Sequence, residues 1–461
     1  MALTSKFVAT DENGNVDSAF AVQLLEHLLQ HTLAKDKAVR MRTCQLVGAI
    51  LSSMGANLDV DDDLWDSMLE KMLARCRDKV PSVRAAAALA VSFFQDPEEE
   101  DDPVVSELTR LMSRDASKDV RKTALQNIAI TKATLPHVLR RLRDNKADVR
   151  KLLYQVIAWK MPIKKLPISL RCDILKIGLD ERIPSVREAC VDMLCTTWLA
   201  ENLSSNPFSL LKCLDAEVNE KIATAALQAV FERFAKSRKR MSGPSPTEWD
   251  ATANTKLAAA TSGEGNLASV EALYIRVRVE WCKKQRGGVW QDAIDRLLLD
   301  LSSMTDLCNY HYQQCKTAAD ASEAERAAAE TDICIARQLL QCIKMADFGD
   351  EGGRRQVVEL IRGMLNDTET PAVLLESAMS CLKAAMMDES GYIRTVAEVI
   401  SALKEPLTAD ESEDESPLLE QTWTQCLDMA STLLTSTQVR TTAFAQPRLI
   451  CHTEPAVRRA R

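Results

Sequence analysis

Positively charged side chains are concentrated in one part of this acidic chain. Residues 103–171 contain 16 Lys and Arg against 5 Asp and Glu, although the whole chain of 461 residues has a formal net charge of −8. Lysine and arginine arrayed along a surface can neutralise nucleic-acid phosphates without contacting bases. We therefore predict sequence-independent binding of double-stranded DNA by Arg140, Arg141, Arg143, Lys146, Lys151, Lys160, Lys164, Lys165 and Arg171.

The same basic residues have a simpler alternative explanation. They could occupy solvated helix faces, or they could pair with carboxylates of the same chain. Acidic partners are available at residues 59–66, 96–102 and 410–416. The segment KSRKR, 236–240, also has two interpretations: a nuclear localisation signal or phosphate-binding patch, and a solubilising linker.

A second pattern pairs an acidic residue with an arginine about six residues later. The frames RDKVPSVR, RDASKDVR and RDNKADVR begin at Arg77, Arg114 and Arg143, and a looser copy begins at Leu179. The aspartate lies in a turn, where it can cap a helix start, and the arginine can reach an aspartate of a neighbouring unit. We predict a structural ladder formed by Asp78, Arg84, Asp115, Arg121, Asp144, Arg150, Asp180 and Arg187.

Amphipathic helices must position these frames. After the third frame, Val149, Leu152, Leu153, Val156 and Ile157 recur at helical spacing. The arginines of successive Val–Arg pairs are separated by 44, 37, 29 and 37 residues, with a further helical stretch between them. Two-helix repeats of about 40 residues are typical of HEAT and armadillo proteins. The sequence therefore predicts an all-α fold, an α-solenoid of HEAT repeats.

Composition changes along the chain predict its domain organisation. We expect a HEAT-repeat block over 1–235 and a second helical block over 267–405. The intervening residues 236–266 are polar and rich in Ser, Thr, Gly and Pro, which favours a disordered insertion. Residues 406–461 begin with an acidic linker and are expected to contain a short helix and a disordered tail.

The overall composition excludes several classes of protein. Aromatic residues make up 5% and only 14 glycines occur, which disfavours β-sandwiches and glycine-rich nucleotide folds. The amino-terminal residues lack a signal-peptide core and no run of 18 apolar residues occurs, so we expect a soluble intracellular protein without a membrane association. The 14 cysteines form no CxxC pair, which favours buried reduced thiols over a disulfide framework.

No set of residues has the spacing of a catalytic or metal site. The DFG triplet at 347–349 lacks the other kinase motifs, and His27 and His31 lack the glutamate and third ligand of a zinc site. The five histidines have no paired nucleophile. We therefore predict no enzyme activity, cofactor, metal or small-molecule substrate.

Several longer segments resemble the condensin G subunit family. The resemblance extends through VRMRTCQLVGAILSSM (39–54), residues 61–105 and TLPHVLRRLRDNKADVRKLLYQVIAWKM (134–161). It continues in EALYIRVRVEWCKK (271–284) and DFGDEGGRRQVVELIRGML (347–365), so it covers about residues 20–400. The chain is shorter than typical members of the family, so the carboxyl-terminal half of the family's solenoid is expected to be missing or replaced here.

The resemblance implies a function. Members of this family are non-catalytic HEAT subunits of condensin that grip the kleisin subunit, and the pair clamps double-stranded DNA. Kleisin connects them to the SMC ATPase pair and to the other HEAT subunit, for chromosome condensation in mitosis. The implied location is the nucleus and condensed chromosomes, with the cytoplasm as an alternative outside mitosis. The alternative function is that of another HEAT scaffold, such as a nuclear transport receptor or phosphatase scaffold, which binds only proteins.

Overall fold

The structure, a computed structural model, describes residues 18–54, 61–99, 101–236, 245–285, 288–316, 322–367, 369–386 and 388–404, together with positions 424 and 431. Throughout these residues the regular secondary structure is helical, which confirms the predicted all-α class. Chain contacts divide the protein into two compact units, Met1–Ser205 and Asn206–Arg461. In the described ranges no helix has the length and apolar character needed to cross a membrane.

In the part of the first unit that the structure describes, the helices form a succession of five pairs. Short 3₁₀ segments follow or extend several of the helices, and a π-helix over Met193–Glu201 extends the last. The ten helices are α1 (Ser18–Gln30), α2 (Lys37–Met54), α3 (Asp62–Arg75), α4 (Pro81–Val91), α5 (Pro103–Arg114), α6 (Lys118–Asn127), α7 (Leu135–Leu139), α8 (Ala147–Lys160), α9 (Ile168–Leu179) and α10 (Pro184–Asp192).

The second helices of these pairs form a continuous packed row. Helix α2 packs against α4, α4 against α6, α6 against α8, and α8 against α10. Their apolar stripes supply much of the core, as in α8, where Val149, Leu153, Val156 and Ile157 have no exposed surface. Gly178 of α9 allows close approach between neighbouring helices, because a Cβ there would overlap Cys190 and lie 2.7 Å from Tyr154 Oη. The row therefore places the start of each second helix beside the start of the second helix in the following repeat.

The repeated sequence frame sets where each second helix begins. The carboxylate of the frame accepts a hydrogen bond from the backbone N–H two residues ahead, which stabilises the turn. The distances are 2.9 Å from Val80 N to Asp78 Oδ1, 2.8 Å from Ser117 N to Asp115 Oδ1 and 2.9 Å from Lys146 N to Asp144 Oδ1. We call these connections the intra-repeat turns; they are residues 31–36, 76–80, 115–117, 144–146 and 180–183.

Ten further helices lie in the described residues of the second unit. Its core includes Phe231, Tyr274, Leu340 and Ile361, all nearly or fully buried. The helices are α11 (Pro207–Cys213), α12 (Glu220–Lys236), α13 (Pro246–Thr261), α14 (Ser269–Lys284), α15 (Gly288–Leu297), α16 (Leu301–Gln314), α17 (Glu323–Lys344), α18 (Glu351–Asn366), α19 (Ala372–Ala385) and α20 (Glu389–Lys404).

Helix α13 corrects the prediction of a disordered insertion over 236–266. Trp249, Ala253 and Leu257 recur every four residues and are buried, so the segment has an apolar stripe despite its polar composition. Its first turn is stabilised by Glu248, whose Oε1 accepts a hydrogen bond from Ser245 N at 3.3 Å. The prediction is therefore wrong for residues 246–261, because short polar and alanine residues concealed the stripe.

The boundary between the units also differs from the predicted organisation. The contacts separate the chain after Ser205, whereas composition predicted a first block over 1–235. Helices α11 and α12 therefore belong to the second unit. The predicted linker, helix and tail over 406–461 lie outside the described residues, except for positions 424 and 431.

Candidate nucleic-acid interface

Four arginines connect consecutive repeats of the first unit. Each is the fourth residue of a second helix and reaches a carboxylate in the intra-repeat turn of the following repeat. Both guanidinium nitrogens Nε and Nη2 donate to this carboxylate, which fixes the pair in a bidentate geometry. The Nε–oxygen distances are 2.8 Å for Arg40–Asp78, 2.7 Å for Arg84–Asp115, 2.9 Å for Arg121–Asp144 and 2.7 Å for Arg150–Glu181.

The third nitrogen of each ladder arginine binds its own repeat. Nη1 donates to the backbone carbonyl six residues earlier, at 2.8 Å in both Arg40 and Arg84, 2.9 Å in Arg121 and 2.7 Å in Arg150. Each side chain thus stabilises the turn before it and the repeat after it. Each guanidinium is held on two sides, so these arginines are structural residues and are not available to a ligand.

Two predicted ladder residues occupy other positions. Glu181 replaces Asp180 as the partner of Arg150, because the looser fourth frame carries two consecutive acids and the second points at the neighbouring repeat. Asp180 is exposed. Arg187 donates to Glu181 O at 3.2 Å but forms no ion pair with a carboxylate in the described residues, and its side chain is exposed. The predicted roles of Asp180 and Arg187 in the ladder are therefore wrong.

Two of the ladder carboxylates form an ion pair with a second arginine. Arg75 Nη1 lies 3.2 Å from Asp78 Oδ2, and Arg141 Nη1 lies 3.3 Å from Asp144 Oδ2. Both arginines lie three residues before the aspartate they bind. The repeated spacing Arg-x-x-Asp was the sequence signal for these contacts. The prediction overlooked it, and it also omitted Arg40, which belongs to the first Val–Arg pair.

The ladder carboxylates are held in their charged form. Burial alone would raise the pKa of Asp78, Asp115 and Asp144, but hydrogen bonds from arginine and from backbone N–H groups outweigh it and lower the pKa of each. For Glu181 the hydrogen bond from Arg150 is the main cause of a lowered pKa. These side chains are 2–13% exposed, so the ladder removes both charges of each pair from the surface.

Three residues of the predicted DNA-binding set have intramolecular partners. Arg141 binds Asp144 and is only 16% exposed. Lys160 Nζ donates to the carbonyls of Gln126 at 2.8 Å and Ile128 at 3.0 Å, at the end of α6, and burial lowers the pKa of this lysine. Arg171 Nη2 donates to Lys164 O at 3.4 Å and is partly buried. These three contacts favour the alternative of intramolecular partners for Arg141, Lys160 and Arg171, and DNA binding by the set stays a prediction.

The other six residues of the set remain accessible. Each is exposed, and none forms an ion pair with a carboxylate among the described residues. They are not all on one element, because they occur in the 3₁₀ segment that follows α7, in the intra-repeat turn 144–146, on α8 and in the 3₁₀ segment after α8. They are Arg140, Arg143, Lys146, Lys151, Lys164 and Lys165.

A groove beside the first helix of the fourth repeat is mixed in charge. It has a volume of about 560 Å³, and its charged lining residues are the cations Lys132, Arg140, Arg143 and Lys176 and the carboxylates Asp173 and Asp180. Leucine and isoleucine side chains form much of its lining. Four cations against two carboxylates leave a positive excess, although the carboxylates and the apolar lining reduce its attraction for a polyanion.

The second unit contains a buried ion pair that the sequence did not predict. Arg278 of α14 donates from Nη2 to Asp250 Oδ2 of α13 at 3.0 Å, and Tyr274 Oη donates to Asp250 Oδ1 at 2.7 Å. The Arg278 guanidinium also lies 4.9 Å from the ring centroid of Phe231 and 5.1 Å from that of Trp281. These groups satisfy one another and fix α13 on α14, so the cluster has a structural role.

Comparison with known proteins identifies similar chains but no matching family model. The chain is 31% identical to condensin complex subunit 3 of Xenopus laevis over 88% of its length, and 28% identical to the Homo sapiens protein of the same name over 86%. In both cases it spans 38% of the relative's own length.

A solved structure has a similar fold. The chain aligns with the crystal structure of the Schizosaccharomyces pombe condensin Cnd3–Cnd2 subcomplex at a TM-score of 0.72 and 25% sequence identity. The alignment covers 94% of this chain and 55% of the other. The similarity extends through both units, which agrees with the HEAT-repeat architecture predicted from the sequence.

Proposed function

Because the chain belongs to the condensin complex subunit 3 family, we propose that it acts as a non-catalytic HEAT subunit of condensin. In this role it binds a kleisin subunit and, with kleisin, double-stranded DNA. Kleisin connects it to the SMC ATPase pair and the other HEAT subunit, so ATP is hydrolysed elsewhere in the complex. The site of action is the condensed chromosome in the nucleus.

One observation carries this proposal. The chain aligns along 94% of its length with one component of a solved two-subunit condensin subcomplex. That subcomplex is named for Cnd3 and Cnd2, which supports a direct partner subunit for this chain as well. The second-unit helices take part in the same alignment, so the support does not depend on the repeated frame alone.

The DNA-binding part of the proposal is supported by exposed positive charge. The basic stretch of the first unit contains six accessible cations: Arg140, Arg143, Lys146, Lys151, Lys164 and Lys165. Duplex DNA carries about one negative charge per 1.7 Å of its axis, so such residues gain affinity by releasing counterions. Two aromatic side chains occur in the basic stretch, and both are on α8: Tyr154 is buried, and Trp159 is 65% exposed. One exposed ring provides no row of stacking platforms for successive bases, so we expect binding to the backbone without sequence preference.

Co-expression with the kleisin of the same organism tests the proposal. We expect the two chains to copurify, and the complex to bind a duplex of any sequence with an affinity that decreases as salt increases. Failure to copurify would reject the condensin role. Copurification without duplex binding would reject the DNA-binding part and leave a scaffold that binds only proteins.

A further inference from the structure

The intra-repeat turns of the first unit lie side by side. Each ladder arginine starts in one repeat and ends at the turn of the next, so the pairs Arg40–Asp78, Arg84–Asp115, Arg121–Asp144 and Arg150–Glu181 connect all five turns in order. Packed helices are about 8–10 Å apart. Five turns in succession have four intervals and therefore extend over about 32–40 Å, the length of roughly nine to twelve base pairs at 3.4 Å each.

The ladder makes the surface of these turns positive. The sequence contains an acid in every turn, but four of these acids are paired with arginine. Asp78 and Asp144 are buried, and the side chains of Asp115 and Glu181 are 4% and 13% exposed. Most of the flanking cations are therefore left without an opposing charge. Seven exposed side chains in or next to the turns form no ion pair among the described residues: Lys35, Lys37, Lys79, Arg114, Arg143, Lys146 and Arg182. We call these seven residues the turn edge.

Few carboxylates oppose the turn edge. Asp36 and Asp180 are the exposed acids within the intra-repeat turns. Two further cations at this edge are paired, since Arg77 Nη2 lies 3.3 Å from Glu107 Oε2 and Lys118 Nζ lies 2.6 Å from Asp148 Oδ2. Seven unpaired cations against two exposed acids leave a clear positive excess that continues from repeat to repeat.

The properties of the turn edge favour a nucleic-acid backbone over an acidic protein. Protein interfaces usually depend on a buried aromatic or aliphatic anchor. In the second, third and fourth turns no large apolar side chain is exposed among the described residues. Point charges at repeated intervals are instead what a line of phosphates requires. This surface also includes two of the accessible residues of the predicted set, Arg143 and Lys146.

We propose that the duplex follows the turn edge across several repeats, so that Lys79, Arg114 and Arg182, which the sequence did not single out, bind phosphates. The inference rests on the proposed function, because it specifies where that function's DNA lies. The ladder then has two consequences. It stabilises the stack of repeats, and it keeps the ladder carboxylates paired and largely buried beneath the surface that binds DNA.

Two matched variants test the path of the duplex. The turn-edge variant is Lys79→Glu, Arg114→Glu and Arg182→Glu; the control is Arg42→Glu, Lys132→Glu and Lys176→Glu. Both change three exposed cations of the first unit by the same total charge, and neither alters a ladder residue or a residue of the predicted DNA-binding set. The Kd for a 30-base-pair duplex is measured by titration with the full chain copurified with kleisin. Circular dichroism checks that both variants remain folded.

We expect the turn-edge variant to increase Kd at least about 100-fold, because each lost phosphate contact removes the affinity gained from counterion release. The salt slope should also fall by about 0.9 for each lost contact. We expect the control to change Kd by less than about 5-fold. Equal weakening of both variants, greater weakening of the control, or no weakening of either would overturn the proposed path. In those cases the wild-type complex still binds DNA, so the proposed function remains. A wild-type complex that does not bind duplex would reject the proposed function, and this inference with it.

A second readout does not depend on the variants. Bound duplex should slow hydrogen exchange of backbone amides in the turns 76–80, 115–117 and 144–146 of the wild-type chain. Slower exchange at the groove between the fourth and fifth repeats, with these turns unaffected, would contradict the proposed path.

Discussion

The two units place their buried charges differently. In the first unit, ion pairs occur at equivalent positions of successive repeats and connect one intra-repeat turn to the next. In the second unit, Arg278–Asp250 connects α13 to α14, while Glu220 of α12 binds both Arg276 of α14 and Arg337 of α17. The ladder pairs of the first unit repeat, and they leave the cations of the turn edge unpaired. The ion pairs of the second unit join particular helices to one another.

The comparison shows what a repeated sequence frame contributes. A pair that recurs at every repeat leaves the same neighbouring positions free each time, and positive residues at these positions form a continuous edge. The pair Arg278–Asp250 instead joins the middle of α14 to α13. We therefore expect perturbation of the second unit to affect mainly stability, and perturbation of the first to affect both stability and DNA binding.

The largest effect is expected for Arg278→Ala. Asp250 would remain buried, and among the described residues Tyr274 alone would still donate a hydrogen bond to its carboxylate. An uncompensated buried charge costs about 3–5 kcal/mol. Native-state hydrogen exchange should report this loss in α13 and α14. The double substitution Arg278→Met with Asp250→Leu should be less harmful, because it removes both charges. A single substitution that changes protection by less than about 1 kcal/mol would contradict the structural role of the pair.

A smaller effect is expected for Arg121→Ala in the ladder. The substitution removes both hydrogen bonds to Asp144, but Arg141 remains 3.3 Å from the same carboxylate. We expect a loss of about 2 kcal/mol in the free energy of opening α6 and α8, measured by hydrogen exchange. Arg187→Ala is the matched control, since Arg187 has the same place in its frame but no carboxylate partner among the described residues. Equal effects of both substitutions would show that the ladder pairs contribute nothing specific.

These results separate the features that the sequence could predict from those it could not. The ladder was predictable at Arg84 and Arg121 because spacing and residue type recur together. The replacement of Asp180 by Glu181 was not, since it depends on which of two adjacent acids points at the neighbouring repeat. The internal contacts of Lys160 depend on the position of the α6 carboxyl terminus, which no local pattern reveals. Helix α13 was missed because a stripe of one Trp, one Ala and one Leu resembles polar linker composition.

A still smaller effect on the stability of the first unit is expected when the pH is lowered. The pKa values of Asp78, Asp115, Asp144 and Glu181 are lowered in the folded chain, so their stabilising contribution is complete above the unfolded values, about 3.9 for Asp and 4.3 for Glu. The contribution is lost as pH falls below these values through the lowered pKa of each group. Unfolding of the first unit in urea, followed through hydrogen exchange of its peptides, should become easier between about pH 4 and pH 3. Constant stability across this range would contradict the charged ladder, and Arg121→Ala should show a weaker dependence than wild type.

The salt dependence of duplex binding by the chain–kleisin complex tests the central claim most directly. If about five phosphates are neutralised, log K should fall linearly with log salt with a slope of about −4.5, so affinity should decrease roughly 500-fold between about 50 and 200 mM. The slope should be the same for duplexes of unrelated sequence. A slope close to zero, or an affinity that depends strongly on base sequence, would contradict a positive edge that binds the phosphate backbone.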